Sequence, residues 1–193
     1  MNSRELILQR AKQNKPTLSP LPEVPLFERT EIDLVAHFKE ILQFVGGEAI
    51  ELLPTEDLSE KIEALYPNMK QVASTIPGIN YANLDLQSIT DPHDLKAVDL
   101  AIYKGEFGVA ENGAVWVPAA SVVHRVLPFI TQHTLIVLDK SKLVWNMHQA
   151  YQRPEMQIDG FGVFISGPSK TADIEQTLVI GAHGSRSLVV IFV

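Results

Sequence analysis

An unbroken run of aliphatic residues, Leu135-Ile136-Val137-Leu138, is the feature that most constrains the fold of this chain. A strand with one face in water alternates apolar and polar residues. A strand of a parallel sheet is covered by helices on both faces and is apolar throughout. The segment 133–139 is therefore predicted to be an inner strand of a parallel sheet, and 188–193 is a second strand of this type.

Helical patterns alternate with the strand patterns. Ile32, Val35, Phe38 and Leu42 recur at helical spacing, which predicts a helix over 30–45 that ends at a glycine pair. Consecutive parallel strands need a crossover, most often a helix. The sequence thus predicts an α/β fold, with a mainly parallel sheet flanked by helices. The other predicted helices are 55–65, 92–97, 141–151 and one between 169 and 180. The other predicted strands are 48–53, 70–74, 99–104 and 161–165, and the last of these is predicted to be a buried strand like 188–193.

A small β-rich excursion interrupts this alternation. Segments 107–111 and 114–117 are short and apolar, and Asn112-Gly113 between them is typical of a two-residue hairpin turn because both residues tolerate positive φ. Before the α/β region, 4–12 fits a short helix with Ser3 as its cap, and a proline-rich arm follows. Residues 1–29 are therefore predicted to be an appendage, and 30–193 to be one domain.

Composition excludes several classes of function. Of the 193 residues 23 are acidic and 16 are basic, and the net charge of −7 argues against a nucleic-acid partner. The chain has no cysteine, so it can offer neither a thiolate ligand for an iron–sulfur cluster nor a cysteine nucleophile. Its six histidines show no spacing that indicates a metal site. No signal-peptide core and no membrane span is apparent, which leads us to expect a cytoplasmic protein.

The polar loop after the strand predicted at 161–165 is the first candidate site. A loop that opens a helix exposes backbone N–H groups at the positive end of the helix dipole, where anions bind. Hydroxyl groups and a lysine add further donors, so a small carboxylate or phosphate ligand fits the chemistry. The alternative is that Ser169 or Thr171 only caps the helix while Lys170 is solvated. The candidate ligand-binding residues are Ser166, Gly167, Ser169, Lys170, Thr171, Asp173, Glu175 and Gly184.

Glu111 and His183 are the candidate catalytic residues. Ala110-Glu111-Asn112-Gly113 resembles the Ser-Glu-Asn-Gly signature of class I coenzyme A transferases, in which the glutamate attacks an acyl thioester. That resemblance implies a transferase-like or ligase-like enzyme with Glu111 as nucleophile or base. His183 lies in a flexible turn, where an imidazole can titrate near neutral pH. For both residues a purely structural place in a turn is the alternative.

A longer motif resembles a known family. Ser-Gly-Pro-Ser-Lys-Thr-Ala-Asp-Ile-Glu at 166–175, followed by Gly-Ala-His-Gly at 181–184, is similar to the signature of the LUD domain, specifically the lactate-utilisation protein C family. The resemblance extends back through 99–113 and covers 30–193. It implies a fold like that of the NagB/RpiA/coenzyme A transferase superfamily.

The same resemblance implies a role in bacterial oxidation of L-lactate to pyruvate. The chain would be an accessory subunit without a cofactor of its own, beside iron–sulfur partner proteins that carry the electrons. Its loop at 166–175 would bind a small anionic ligand or the surface of a partner. The resemblance leaves open whether the chain is itself catalytic.

Overall fold

The computed structural model describes residues 2–27, 29, 31–157, 160–171 and 179–193. Short 3-10 turns lie at Leu86–Ser88, Pro92–Ala97, Ala119–Ser121, Lys140–Lys142 and Pro154–Gln157. The α-helices of the described residues are α1 (Ser3–Gln13), α2 (Leu34–Phe44), α3 (Leu58–Leu65), α4 (Leu127–Ile130) and α5 (Met147–Gln152). The strands are β1 (Glu48–Glu51), β2 (Val72–Ser74), β3 (Leu100–Lys104), β4 (Phe107–Val109), β5 (Ala114–Pro118), β6 (His133–Leu138), β7 (Leu143–Val144), β8 (Gly162–Ile165) and β9 (Ser187–Phe192).

The main sheet is parallel throughout and has the strand order β1-β9-β6-β3-β2. Successive side chains of a strand point to opposite faces, so an inner strand must be apolar on both. On one face Ile136 packs in a cluster with Phe38 and Leu42 of α2. On the other face Leu135 packs in a cluster with Ile62 of α3. This two-sided burial confirms the predicted α/β fold and explains the unbroken aliphatic run in β6.

A second sheet, in the order β7-β4-β5-β8, forms the predicted β-rich excursion. Val115 and Val117 of β5 are buried in the α2-side cluster, so this sheet covers part of the same face as α2. Its other side carries an aromatic group in which Phe107, Trp116 and Phe164 lie together. The excursion is thus a layer over one face of the main sheet.

Two element predictions were wrong in ways that affect the site. The segment 161–165 was predicted to be another buried strand of the alternating pattern. It is half-buried and pairs antiparallel with β5 in the second sheet, with Phe164 opposite Trp116. A short apolar run shows that a strand exists but does not show which sheet it joins. The predicted helix over 141–151 is in fact a 3-10 turn, β7 and the shorter α5.

Several element ends differ from the predicted ones. Helix α2 begins after Asp33, whose carboxylate accepts the N–H groups of Val35 and Ala36 at 3.0 Å. Asn2, not Ser3, caps α1. Since Val109 pairs with Ala114, four residues rather than two connect β4 to β5. Side chains that accept N–H groups of the first turn decide where a helix begins, and several polar residues near each start compete for that role.

The N-terminal segment contacts the body of the protein at its end. Helix α1 buries none of its residues, and the arm that follows is largely exposed. Near the end of the arm, the carbonyl of Leu26 accepts a hydrogen bond from the Asn146 amide at 2.8 Å, and the guanidinium of Arg29 lies 4.8 Å from the centre of the Trp145 ring. In the part of the chain that is described, no helix is long and apolar enough to cross a membrane.

Candidate functional site

The loop after β8 lines a cavity of about 230 Å³ that lies near the amino-terminal ends of the inner strands. One wall is formed by the loop itself, and another by the segment that leads into β9. Phe129 of α4, shortly before β6, contributes a further part. We call this space the loop cavity. It brings together five predicted site residues, namely Ser166, Gly167, Ser169, His183 and Gly184.

A second hollow of about 350 Å³ adjoins the loop cavity. Both spaces are lined by Phe129, His183 and Gly184, and the second extends to Gln132, immediately before β6. His183 is exposed at this junction. Its imidazole is therefore accessible to a ligand in either space.

Backbone hydrogen bonds pair the loop over residues 169–171. The N–H of Ser169 donates to the carbonyl of Ser185 at 2.8 Å, and the N–H of Thr171 donates to the carbonyl of Val179 at 3.1 Å. Lys170 and Ile180 form an antiparallel bridge. Residues 169–171 are therefore paired as a short ribbon with 179–181, and the amides of Ser169 and Thr171 are used within the protein. The amides of the predicted helix start beyond Thr171 lie outside the described residues.

Two of the predicted hydroxyl donors are also engaged. The hydroxyl of Ser166 donates to the carbonyl of Asn112 at 2.7 Å, which ties the loop to the connection between β4 and β5. The hydroxyl of Thr171 accepts the N–H of Val179 at 3.1 Å. Ser169, His183 and the buried Ser185 are the other polar side chains that line the loop cavity.

Lys170 and Thr171 are not among the residues that line the loop cavity. The Lys170 side chain runs toward the end of α2, where its Cε atom would lie 3.8 Å from a Cβ built on Gly46. A lysine is favourable near the carboxyl end of a helix, where the dipole is negative. Asp173 and Glu175 lie outside the described residues, as does most of the predicted crossover helix.

Gly167 lies where the loop packs against Val45, the residue after α2. Its φ is +75°, and a Cβ built on it would lie 2.8 Å from the carbonyl oxygen of Val45. An L-residue is strained at such a φ, and the carbonyl leaves no space for a side chain. Glycine is thus required here for the course of the loop, independently of any ligand.

Glu111 is not among the residues that line the two spaces around His183. It is exposed on the β4–β5 connection, and its carboxylate accepts the N–H of Met147 at 3.1 Å. That N–H opens α5, so the carboxylate satisfies a donor that lacks a partner within the helix. Among the described residues no group of three acidic or histidine side chains lies close enough to hold a metal ion.

Three residues that line the two spaces around His183 were not predicted from the sequence, namely Phe129, Gln132 and Ser185. These residues precede β6 and β9, which are neighbours in the sheet although about fifty residues separate them in the chain. The pairing of β6 with β9 is what brings the segments together. Only the prediction that both are inner strands of one parallel sheet could have indicated it.

The chain is similar in sequence to several bacterial proteins. A sequence model of the LUD domain matches residues 92–193. The chain is 36% identical over 92 residues to lactate utilization protein C of Shouchella clausii, which covers 45% of this chain and 40% of that protein. It is 28% identical over 164 residues to lactate utilization protein C of Geobacillus thermodenitrificans, covering 81% and 67%.

An uncharacterized protein of Neisseria meningitidis is 34% identical over 97 residues, which are 49% of this chain and 42% of that protein. Over these shorter matches, the chain spans about two fifths of the relatives' length. The crystal structure of a DUF162 family protein from Deinococcus radiodurans superposes with a TM-score of 0.64 at 16% identity, covering 82% of this chain and 95% of that chain. At this identity the structural likeness concerns the fold.

Proposed function

The chain belongs to the LUD domain family, and from that premise we propose that it serves bacterial L-lactate utilisation as an accessory subunit beside iron–sulfur proteins. The observation that carries the proposal is the similarity to proteins named lactate utilization protein C, at 28–36% identity. These relatives support a role in lactate utilisation. The identity of the partners and the division of labour are our proposal.

The chemistry of the reaction is consistent with a division between subunits. Oxidation of L-lactate to pyruvate removes two electrons and two protons from the hydroxyl-bearing carbon and its oxygen. The chain has no cysteine and so cannot supply the thiolates that usually hold an iron–sulfur cluster. The electrons would therefore pass to clusters on partner proteins, and this subunit would bind a ligand or one of those partners.

We place the binding role at the loop cavity. Its volume of about 230 Å³ is large enough for a three-carbon acid, and the hydroxyl of Ser169 and the imidazole of His183 are available as donors to a carboxylate or phosphate. The Lys170 ammonium is near the end of α2, so the site would bind an anion mainly by hydrogen bonds. A partner surface that inserts an acidic side chain would use the same donors.

Growth on L-lactate tests the physiological part of the proposal. A strain that lacks the gene is complemented with the wild-type gene, with Ser169→Ala, with His183→Gln or with His93→Gln as a matched control. His93 is an exposed histidine on the 3-10 turn at Pro92–Ala97. We expect the deletion and the two cavity variants to grow poorly on L-lactate and normally on glucose. Normal growth of the deletion strain on L-lactate contradicts the proposal.

Purification tests the partner and the ligand separately. An affinity-tagged chain is expected to retain iron–sulfur proteins, visible by their absorption and iron content. An active lactate-oxidising complex that forms without this chain contradicts the accessory role. Calorimetric titration of the isolated chain with L-lactate, pyruvate and inorganic phosphate tests the loop cavity directly. If none binds while the partners do, the loop cavity is a protein contact and not a ligand site.

A further inference from the structure

A larger cavity, of about 550 Å³, lies at the carboxyl ends of the strands of the main sheet. Strands β2, β3 and β6 all deliver residues to it at their carboxyl ends. Thr75 follows β2, Lys104 is the last residue of β3, and Asp139 follows β6. We call this space the edge cavity. In open α/β sheets ligands bind in crevices outside the carboxyl ends of the strands, and cavities of about 300–1,000 Å³ are typical of small-molecule sites.

We propose that the edge cavity binds an organic anion that combines an apolar body with one hydrogen-bond donor. No part of the proposed lactate function uses this cavity, and the loop cavity lies at the other end of the strands. The three elements of the ligand follow from three features of the lining, which are its aliphatic wall, the ammonium of Lys104 and the carboxylate of Asp139.

The wall of the edge cavity is aliphatic. Ile76 and Pro77 line it on the β2 side, and Val137 of β6 lines its floor. Val137 is almost fully buried and is fixed in the α3-side cluster, so the floor is preformed. A surface of this composition gains free energy by covering an apolar body, because apolar area leaves water.

Lys104 supplies a positive charge that forms no close ion pair in the described part of the chain. Neighbouring lysines at the same edge are paired, Lys140 with Glu51 at 3.2 Å and Lys142 with Glu106 at 2.8 Å. Within the described ranges no carboxylate lies within 4.0 Å of the Lys104 ammonium, and the side chain is exposed. An exposed ammonium beside an apolar wall suits a carboxylate, sulfonate or phosphate group on an amphipathic molecule.

Asp139 supplies an oriented acceptor. Its Oδ1 accepts the N–H of Ser141 at 2.9 Å and the hydroxyl of Ser141 at 2.7 Å. These bonds, with the charges of Lys142 and Lys104, hold the pKa of the carboxyl below its usual range, so it is ionised at neutral pH. Both bonds use Oδ1, and in the described part of the chain no donor contacts Oδ2. A hydroxyl or amine of the ligand can therefore bond to Oδ2.

The probe 8-anilino-1-naphthalenesulfonate has all three elements, since it carries a sulfonate, two aromatic ring systems and one N–H donor. Its fluorescence on titration of the intact chain gives a Kd. We expect Lys104→Gln to raise that Kd at least about tenfold, because a hydrogen bond to a charged group is lost. The matched control is Lys70→Gln, which removes an exposed lysine near the start of β2 and should leave the Kd unchanged.

Methyl NMR locates the probe. With labelled isoleucine and valine methyl groups, we expect saturable shifts at Ile76 and Val137, and none at Ile130, which lines the hollow beside His183. Ile76→Trp should occupy part of the edge cavity and weaken binding with an unchanged unfolding midpoint. Shifts confined to residues outside the edge cavity, or a Kd that neither Lys104→Gln nor Ile76→Trp alters, overturn the proposal. The methyl shifts are measured on the wild-type chain and decide the question even if a variant folds poorly.

Discussion

The substitution Gly167→Ala tests how the loop cavity is built. Gly167 has a φ of +75°, and a Cβ there would lie 2.8 Å from the carbonyl oxygen of Val45. The backbone conformation alone costs an L-residue roughly 1–2 kcal/mol. The close approach must be relieved by moving the loop or the end of α2, and forced contacts of this type cost roughly 1–3 kcal/mol. We expect the free energy of unfolding to fall by about 2–5 kcal/mol.

Gly78→Ala is a matched control for the same substitution. Gly78 has a φ of +81°, but no atom lies within 4 Å of a Cβ built on it. Only the conformational cost of roughly 1–2 kcal/mol applies there. Both substitutions also reduce the entropy of the unfolded chain equally, so that effect cancels in the comparison. The difference between the two variants, about 1–3 kcal/mol, isolates the contact with Val45.

Equilibrium unfolding in urea measures both variants. The midpoint gives the change in free energy when the slope is unchanged, and a changed slope would show that the two-state treatment fails. Equal losses in Gly167→Ala and Gly78→Ala refute the reasoning, because they would show that the Val45 carbonyl does not restrict the loop. A Gly167→Ala variant as stable as the wild type refutes it more directly.

Three further changes test the interior and the helix ends. Burial and the charge of Arg186 hold the pKa of His133 below its ordinary value of 6.5. As pH falls, the imidazole is therefore protonated in the unfolded chain at a higher pH than in the folded protein. The stability that the neutral His133 imidazole contributes is complete above about pH 6.5 and is lost as pH falls through the lowered pKa. Urea unfolding midpoints measured from pH 8 to 5 should therefore depend less on pH in His133→Gln than in the wild type. The buried hydroxyl of Tyr103 lies beside that of Thr134, but among the described residues neither forms a hydrogen bond of good geometry. Tyr103→Phe should therefore preserve stability or raise it by about 1 kcal/mol, and thermal unfolding that shows a clear loss contradicts this. Asp33→Ala removes the cap of α2 and should cost about 1 kcal/mol in urea unfolding, whereas an unchanged midpoint would show that the cap contributes nothing.

The fold could be predicted where burial leaves a pattern in the residues. Strands β6 and β9 are apolar on both faces because α2 and α3 cover opposite faces of the main sheet, and this is visible in the sequence. Strand β8 is also a short apolar run, but it lies in the second sheet, opposite β5. A short apolar run fits a strand of either sheet, so the sheet to which β8 belongs could not be predicted.

The error at β8 is the reason that the site was only partly predicted. A loop after a strand of the main sheet would lie at the carboxyl ends of its strands. Because β8 runs in the second sheet, its loop instead reaches the starts of β6 and β9, where Ser169 pairs with Ser185. The sequence motif still brought Ser169, His183 and Gly184 into one cavity. The amides of Ser169 and Thr171 donate to the carbonyls of Ser185 and Val179.

The two cavities can be tested independently because the length of the inner strands separates them. The loop cavity lies beside the segments that enter β6 and β9, whereas Asp139 and Val193 of the edge cavity follow the ends of these strands. Strand β6 has six residues, and at about 3.3 Å per residue the separation is roughly 20 Å. A three-carbon acid in one cavity cannot contact the other. His183→Gln should therefore leave the Kd of the sulfonate probe unchanged, and Lys104→Gln should leave binding at the loop cavity unchanged. A change in either crossed measurement would require that the rigid inner strands transmit a displacement, which their two-sided packing opposes.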